Sequence, residues 1–112
     1  MQEENQLRVI NLTPHVIHLY SHIDKQFHAL QSEGVARVTQ EEKANFSSPD
    51  GYSFTESIWG ETTGLPDSLP QVVYIVSSLV RAANPNRKDL YSPSSLTRDD
   101  QGRIAGCMTL TR

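Results

Sequence analysis

Apolar residues in this chain occur only in short runs, and this limits the folds that it can form. The longest run, Val72–Val76, has five residues. A membrane-spanning helix needs about 20 apolar residues, so no segment is predicted to cross a membrane. Short runs rich in β-branched and aromatic residues, separated by Gly, Pro, Asn and Asp, are typical of strands joined by turns. The sequence therefore predicts a small domain built mainly from strands.

The order of apolar runs and turn residues predicts how the strands pair. Strands that follow one another across tight turns favour an antiparallel arrangement. Ser77–Asn84 is the best helix candidate, because a serine can cap its start and Asn84–Pro85 ends it. We expect an α+β fold, a mostly antiparallel sheet decorated by one or two short helices in the C-terminal third. The predicted strands are Leu7–Leu12, His15–Ser21, Phe27–Leu30, Val35–Gln40, Tyr52–Gly60, Val72–Val76 and Arg103–Leu110. The predicted turns and loops are His22–Gln26, Gln31–Gly34, Ser47–Gly51, Glu61–Gln71 and Asp99–Gly102. The last of these would join Ser95–Arg98, the end of the polar stretch, to Arg103–Leu110 in a terminal hairpin.

Length and charge narrow the possible functions. The 112 residues are predicted to form a single ligand-binding domain, 1–112, with a formal net charge of -3. An acidic chain has no overall field that attracts nucleic acid, so we expect no DNA or RNA partner, although a local basic pocket is permitted. The one cysteine, Cys107, cannot form an internal disulfide, and the N-terminal MQEENQLR lacks the apolar run of a signal peptide. Both features favour a reducing cytoplasm.

Residue types used in catalysis and metal binding are present, but not in the patterns that such sites need. His18 and His22 would lie about 13 Å apart along a strand, too far to share a metal ion. Cys107 lies in a predicted strand, where a small buried hydrophobe is the better interpretation than a nucleophile. The sequence contains no G-x-S-x-G elbow, no P-loop and no G-x-G-x-x-G motif. We therefore predict no catalytic residue, no metal and no cofactor.

The polar stretch Ala82–Arg103 is the best candidate for a binding site. Arginine pairs with phosphate through two parallel hydrogen bonds, and asparagine can both donate to and accept from a base or a ribose. Aspartate can accept from a ribose hydroxyl or fix an arginine, and tyrosine can stack on a base. The residues that offer these groups are Asn84, Asn86, Arg87, Lys88, Asp89, Tyr91, Arg98 and Arg103, with Tyr74 from the preceding strand. The stretch thus suits a small phosphorylated ligand such as a nucleotide.

The same stretch also has a purely structural interpretation. It would then be a solvated polar loop held by local ion pairs, Arg87 with Asp89 and Arg98 with Asp99 or Asp100. Composition alone leaves both interpretations open.

A series of short motifs follows the chain: INLTPH, VARV, GETTGLP, VYIVSSLV, P-x-R-x-D and TRDDQGRIAGC. In this order they resemble the phage anti-Thoeris sponge proteins, the first described type of Thoeris anti-defence protein. The resemblance implies a homo-oligomer that acts in the host cytoplasm and is not an enzyme. It would bind and sequester a cyclic ADP-ribose isomer made by a bacterial TIR-domain protein, with cyclic oligonucleotides as further ligands. It also implies an antiparallel sheet decorated by two helices.

For the site, the resemblance implies an Asn and an Arg from the C-terminal third with an aromatic residue nearby. The matching positions are Asn84, Arg98 and Tyr74, with Asn86 and Arg103 left open as alternatives. Arg87 and Asp89 are added on the chemistry of the residues alone. The predicted ligand-binding residues are therefore Tyr74, Asn84, Arg87, Asp89 and Arg98.

Two other functions stay open at this point. One is a phage structural protein or a protein that binds a host protein, which fits the structural interpretation of the polar loop. The other is a small hydrolase that acts on a nucleotide through Asp99, Asp100 or a histidine.

Overall fold

The computed structural model describes residues 6–112, which contain eight strands and one short helix. The strands are β1 (Arg8–Asn11), β2 (Ile17–Ser21), β3 (Gln26–Leu30), β4 (Arg37–Ser47), β5 (Ser53–Thr63), β6 (Val72–Ile75), β7 (Leu90–Arg98) and β8 (Ile104–Thr111). The helix is α1 (Ser78–Ala83). A strand-rich domain with a short helix in its C-terminal third is thus confirmed. No helix within residues 6–112 is long and apolar enough to cross a membrane.

The main sheet is mixed, so the prediction of mostly antiparallel pairing holds only in part. Its six strands lie in the order β1-β6-β7-β8-β2-β3. The pairs β1–β6, β6–β7 and β8–β2 are parallel, whereas β7–β8 and β2–β3 are antiparallel. Local turns correctly indicated the two antiparallel hairpins. The parallel pairs join segments that are distant in sequence, and apolar alternation does not specify a distant partner.

The segment β6–α1–β7 forms the centre of the fold and also positions the candidate site. The β6 strand is internal to the sheet and runs directly into a buried Val76, as expected for the most apolar run of the chain. Ser77 caps α1, since its side chain accepts a hydrogen bond from the Val80 N–H. Val80 then packs into the core with Leu90, the first residue of β7. The helix therefore packs Val80 into the core beside β7 and also contacts β4 and β5.

Strand β7 begins earlier than the sequence indicated. The polar stretch was expected to contribute only the end of a terminal hairpin, yet Leu90–Ser94 is also strand and Leu90 is fully buried. Its pairing with β6 provides the cause, because Tyr74 N–H donates to the Asp89 carbonyl and Val76 N–H to the Tyr91 carbonyl. A polar stretch can thus extend a sheet when its backbone groups complete a ladder.

Asn11 links three parts of the chain near the end of β1. The residue is completely buried, and its amide Nδ2 donates to the carbonyls of His15 and Leu30 at 2.7 and 2.9 Å. Its Oδ1 accepts from both the backbone N–H and the hydroxyl of Thr13. The full hydrogen-bonding capacity of the amide is therefore used. These bonds give the INLTPH motif a structural role, since they fix the bend between β1 and β2 against the end of β3.

Strands β4 and β5 form a separate two-stranded sheet that extends away from the rest of the molecule. Each strand has eleven residues, so the ribbon is about 36 Å long. Every residue from 39 to 47 and from 49 to 59 is exposed. The Cα radius of gyration is 17.9 Å, against about 13 Å for a compact domain of this length. We call the exposed ribbon Gln40–Trp59 the arm.

The sequence located the turn of the arm but not its length. Ser48–Gly51 closes the hairpin as predicted, with Gly51 N–H donating to the Ser48 carbonyl. The predicted strand Val35–Gln40 ends too early, because the real strand continues to Ser47. The β4 half of the arm is exposed on both faces, and Glu41–Ser47 lacks the apolar alternation by which strands are recognised.

Candidate functional site

A surface cleft lies where α1 ends and β7 begins, inside the polar stretch singled out by sequence. Asn84 ends the helix with non-helical torsion angles, φ -128° and ψ 61°, because the following Pro85 disfavours the helical region for the residue before it. A tight turn follows, in which Arg87 N–H donates to the Asn84 carbonyl at 3.0 Å. This turn places Arg87 and Lys88 beside the last turn of the helix.

The cleft has a volume of about 450 Å³ and a strongly basic lining. Its lining residues are Arg81, Ala82, Asn84, Pro85, Arg87, Lys88 and Arg112. Four of these seven residues are cations, although the chain as a whole carries a net charge of -3. We call this site the basic cleft. It is the kind of local basic pocket that an acidic chain can still form.

Arg87 is held in place by Asp89. Its Nε and Nη2 donate to the two carboxylate oxygens of Asp89, both at 2.9 Å, and Nη2 also donates to the Pro66 carbonyl. The predicted Arg87–Asp89 pair is thus confirmed. The hydrogen bonds from Arg87 hold the pKa of the Asp89 carboxyl below its usual range, and the same bonds raise the pKa of Arg87. Asp89 is therefore placed to orient an arginine of the cleft.

The other three cations of the cleft have no carboxylate partner within residues 6–112. Arg81 donates to the Thr111 carbonyl at 3.0 Å, and Arg112 donates to the Lys88 carbonyl at 3.4 Å. The Lys88 side chain is exposed and makes no hydrogen bond or ion pair in the described part of the chain. Positive charge in the cleft is thus only partly neutralised.

Asn84, one of the predicted site residues, lines the basic cleft, but its amide nitrogen already makes hydrogen bonds. Nδ2 donates to the Val80 carbonyl at 2.8 Å and to the Thr62 hydroxyl at 3.0 Å. These bonds tie the end of α1 to the base of the arm. The group that remains for a ligand is the Oδ1 atom, which can accept a hydrogen bond from a base or a ribose hydroxyl.

The structure does not bring Tyr74 or Arg98 into this cleft. Tyr74 is 1% exposed in the core, and its hydroxyl donates to the Asp67 carbonyl, so no face of its ring is open to stack on a base. Arg98 ends β7, about 26 Å along the strand from Leu90, and donates to the Gly102 carbonyl. Asp99 pairs with Arg103 at 3.1 Å, which is not the pairing with Arg98 that the structural interpretation predicted. Asn84, Arg87 and Asp89 are the predicted site residues that lie together.

Sequence reasoning missed two of the cations. Arg81 precedes the polar stretch, and its position in the last turn of α1 was a local signal that it would lie near Asn84. Arg112 follows β8, which returns antiparallel to β7 and pairs Thr111 with Ser92. No spacing along the chain indicates that Arg112 lies near Lys88, because their proximity depends on this pairing.

The residues considered for catalysis and metal binding lie elsewhere. Within residues 6–112 no three His, Cys, Asp or Glu side chains are grouped as metal ligands. His28 pairs with Asp24 at 2.7 Å on the exposed β2–β3 hairpin. Cys107 is buried in β8, where burial raises the pKa of its thiol. A raised pKa keeps the sulfur protonated and poorly nucleophilic at neutral pH.

The basic cleft can bind an anion. Guanidinium and ammonium groups on several sides suit phosphate oxygens, and Arg87 is already oriented by a bidentate pair. The amide oxygen of Asn84 adds a neutral acceptor for the uncharged part of a ligand. Comparisons of the chain with protein-family models, with curated proteins and with solved structures found no match.

Proposed function

We propose that this chain binds a small phosphorylated nucleotide of the cyclic ADP-ribose type in the basic cleft and holds it without degrading it. The observation that carries the proposal is the group of cations without carboxylate partners, Arg81, Lys88 and Arg112, beside Arg87. A pyrophosphate places two negative charges close together, and several cations around one cleft can pair with both. The resemblance to phage anti-Thoeris sponge proteins supports the choice of ligand and a role in the host cytoplasm.

To hold a nucleotide without degrading it, the cleft must bind it tightly and must not cleave it. The groups of the cleft are suited to charge pairing and hydrogen bonding, which supply affinity without bond cleavage. In this proposal the protein lowers the concentration of a free signalling nucleotide below the level that an effector needs. Because each copy of the protein holds its nucleotide and does not turn it over, the effect depends on the concentration of the protein. A hydrolase molecule, in contrast, can act on many nucleotides in turn.

The first experiment is calorimetry of the purified chain with the cyclic ADP-ribose isomer produced by a TIR-domain enzyme. Linear ADP-ribose and inorganic pyrophosphate serve as comparison ligands. We expect saturable binding, and recovery of the intact cyclic nucleotide after heat denaturation of the complex. Recovery of a linear product would instead establish a hydrolase, and the absence of binding for all three ligands would contradict the proposal.

Substitution of Lys88 tests whether the basic cleft is the site. We expect Lys88→Gln to weaken binding about tenfold, because one charge-assisted contact to phosphate is lost. Lys25→Gln is the matched control, since it removes the same charge from another exposed turn that does not line the cleft. Equal effects of the two substitutions would show that only overall charge matters.

Substitution of Arg98 separates the cleft from the terminal hairpin. If the ligand occupies the basic cleft, Arg98→Ala keeps the affinity of the parent chain within about twofold, because Arg98 does not line the cleft. A strong loss with Arg98→Ala and none with Lys88→Gln would move the site to the β7–β8 hairpin. The two variants therefore have opposite expected results for the two locations.

A further inference from the structure

The molecule exposes more surface than a monomer of its size normally does. Its accessible surface is 8201 Å², whereas a folded monomer of 12.6 kDa exposes about 6,200 Å². The excess of about 2,000 Å² exceeds the roughly 800 Å² that each partner buries in a standard interface. Every residue of the arm except Ser48 is exposed.

A two-stranded ribbon that no other element covers also has little stability of its own. A lone hairpin is at best marginally stable in water, because it has no third strand and no packed face. The arm nevertheless carries large apolar side chains: Phe46, Tyr52, Phe54, Ile58 and Trp59 are each 39% to 66% exposed. Three of these, Phe46, Phe54 and Ile58, lie on one face of the arm, and apolar side chains grouped on an exposed surface indicate that another surface covers them.

One face of the arm has a particular order of residues. Residues directly opposite each other in an antiparallel pair share a face, and so do alternate residues of one strand. Phe54, Glu56 and Ile58 of β5 therefore share a face with their partners in β4, which are Phe46, Lys43 and Glu41. A bulge between Ala44 and Phe46 keeps Phe46 on the face of Lys43, although the two are three residues apart. At its tip the rings of Phe46 and Phe54 are stacked, with centroids 4.5 Å apart and an interplanar angle of 8°. We call this the phenylalanine face.

The charges of the phenylalanine face are complementary to those of a second copy. Lys43 lies in β4 and Glu56 lies opposite it in β5, and neither makes an ion pair within residues 6–112. Suppose that two arms pack face to face about a two-fold axis along their length, so that β4 of each lies over β5 of the other. Lys43 then faces Glu56 of the second copy twice, once on each side of the axis, and the phenylalanine pairs meet at the tip.

We propose that the phenylalanine face of the arm is the surface through which two copies of this chain associate. In this arrangement the phenylalanine rings meet at the tip, Lys43 and Glu56 each meet a charge of opposite sign, and Glu41 lies over Ile58 of the second copy. The inference rests on the arm alone and does not depend on the ligand of the basic cleft.

Charge reversal on this face gives a sharp test by analytical ultracentrifugation. We expect the parent chain to sediment as a dimer or a multiple of it. Lys43→Glu places a second carboxylate against Glu56 of the second copy, and Glu56→Lys produces the corresponding pair of ammonium groups. Each variant alone should dissociate at least about tenfold more readily. An equimolar mixture should regain association, because each chain then offers the charge that the other lacks at both contacts.

The mixture distinguishes contacts between copies from damage within one arm. Within each arm a like-charged cross-strand pair persists after mixing, so a defect internal to the arm is not rescued. Glu42→Lys is the control, since Glu42 pairs with Ser57 on the opposite face and should leave the association unchanged. A monomeric parent chain, a mixture that stays dissociated, or an equal effect of Glu42→Lys would each overturn the proposal.

Discussion

At the scale of single residues, the basic cleft depends on pairs that fix side chains rather than on the charges alone. Arg87 has lost part of its freedom before any ligand arrives, because Asp89 and the Pro66 carbonyl hold its guanidinium. A fixed arginine loses less conformational entropy when it binds phosphate than a free one does. Lys88, which has no such partner, contributes charge at a higher entropic cost.

The Arg87–Asp89 pair predicts how stability changes with pH. The folded pKa of Asp89 is lowered, so its contribution is complete above the unfolded value and is lost as the pH falls through the folded value. We expect Asp89→Asn to lower the free energy of unfolding by about 1 kcal/mol at pH 7. In urea titrations the difference from the parent chain should shrink as the pH falls below about 4. A difference that stays constant down to about pH 2, below the usual range of carboxyl groups, would show that the carboxylate charge contributes nothing.

At the scale of elements, β7 joins the core to the candidate site. Its first residue, Leu90, is completely buried beside Val80, and the preceding residues line the basic cleft. Leu96 lies farther along the same strand and is 48% exposed. Strand β7 is thus buried in the core at its first residue and exposed to solvent farther along.

Substitutions along β7 should reproduce this contrast. Leu90→Ala removes buried methyl groups and leaves a cavity, so we expect the free energy of unfolding to fall by about 3 kcal/mol. Leu96→Ala is the matched control and should cost under about 1 kcal/mol, because much of its side chain is already in water. Chemical denaturation of both variants provides the measurement. Similar losses at the two positions would contradict the burial of Leu90 in the core.

The sequence was informative where structure is set locally. A serine cap at Ser77 or Ser78, the Asn84–Pro85 stop and a hairpin turn within Ser47–Gly51 were all predicted, because each depends on a few adjacent residues. Parallel pairing of β1 with β6 was not predicted, since nothing near Arg8 identifies its partner Val72. The same limit applies to the basic cleft. Asn84 and Arg87 are close together in sequence, whereas Arg112 lines the cleft only because β8 pairs with β7.

At the scale of the whole molecule, the chain divides into a sheet with a buried core and an arm without one. The principal extents are 66, 39 and 19 Å, which describe an elongated and flat particle. Asn84 connects the two parts, since its amide bonds both the helix and Thr62 at the base of the arm. The backbone amides of such an arm are expected to be protected against hydrogen exchange mainly by contacts outside their own chain.

Hydrogen exchange at several protein concentrations should reveal that protection. We expect the amides of the arm to exchange more slowly as the concentration rises, because association covers the ribbon. Amides of β6 should exchange at a rate independent of concentration, since they are buried within one chain. If the arm amides exchange equally fast at all concentrations, the arm is not covered by a second copy.

The burial of Cys107 has a consequence for how copies of this molecule can be joined. It is the only cysteine of the chain, it is 2% exposed, and burial raises the pKa of its thiol. Two folded copies therefore have no accessible thiol with which to form a covalent link. The proposed association is therefore expected to be the same in oxidising and in reducing surroundings. A cysteine introduced at the tip of the arm would be the sole reactive thiol, and its cross-linking would report directly on whether two tips meet.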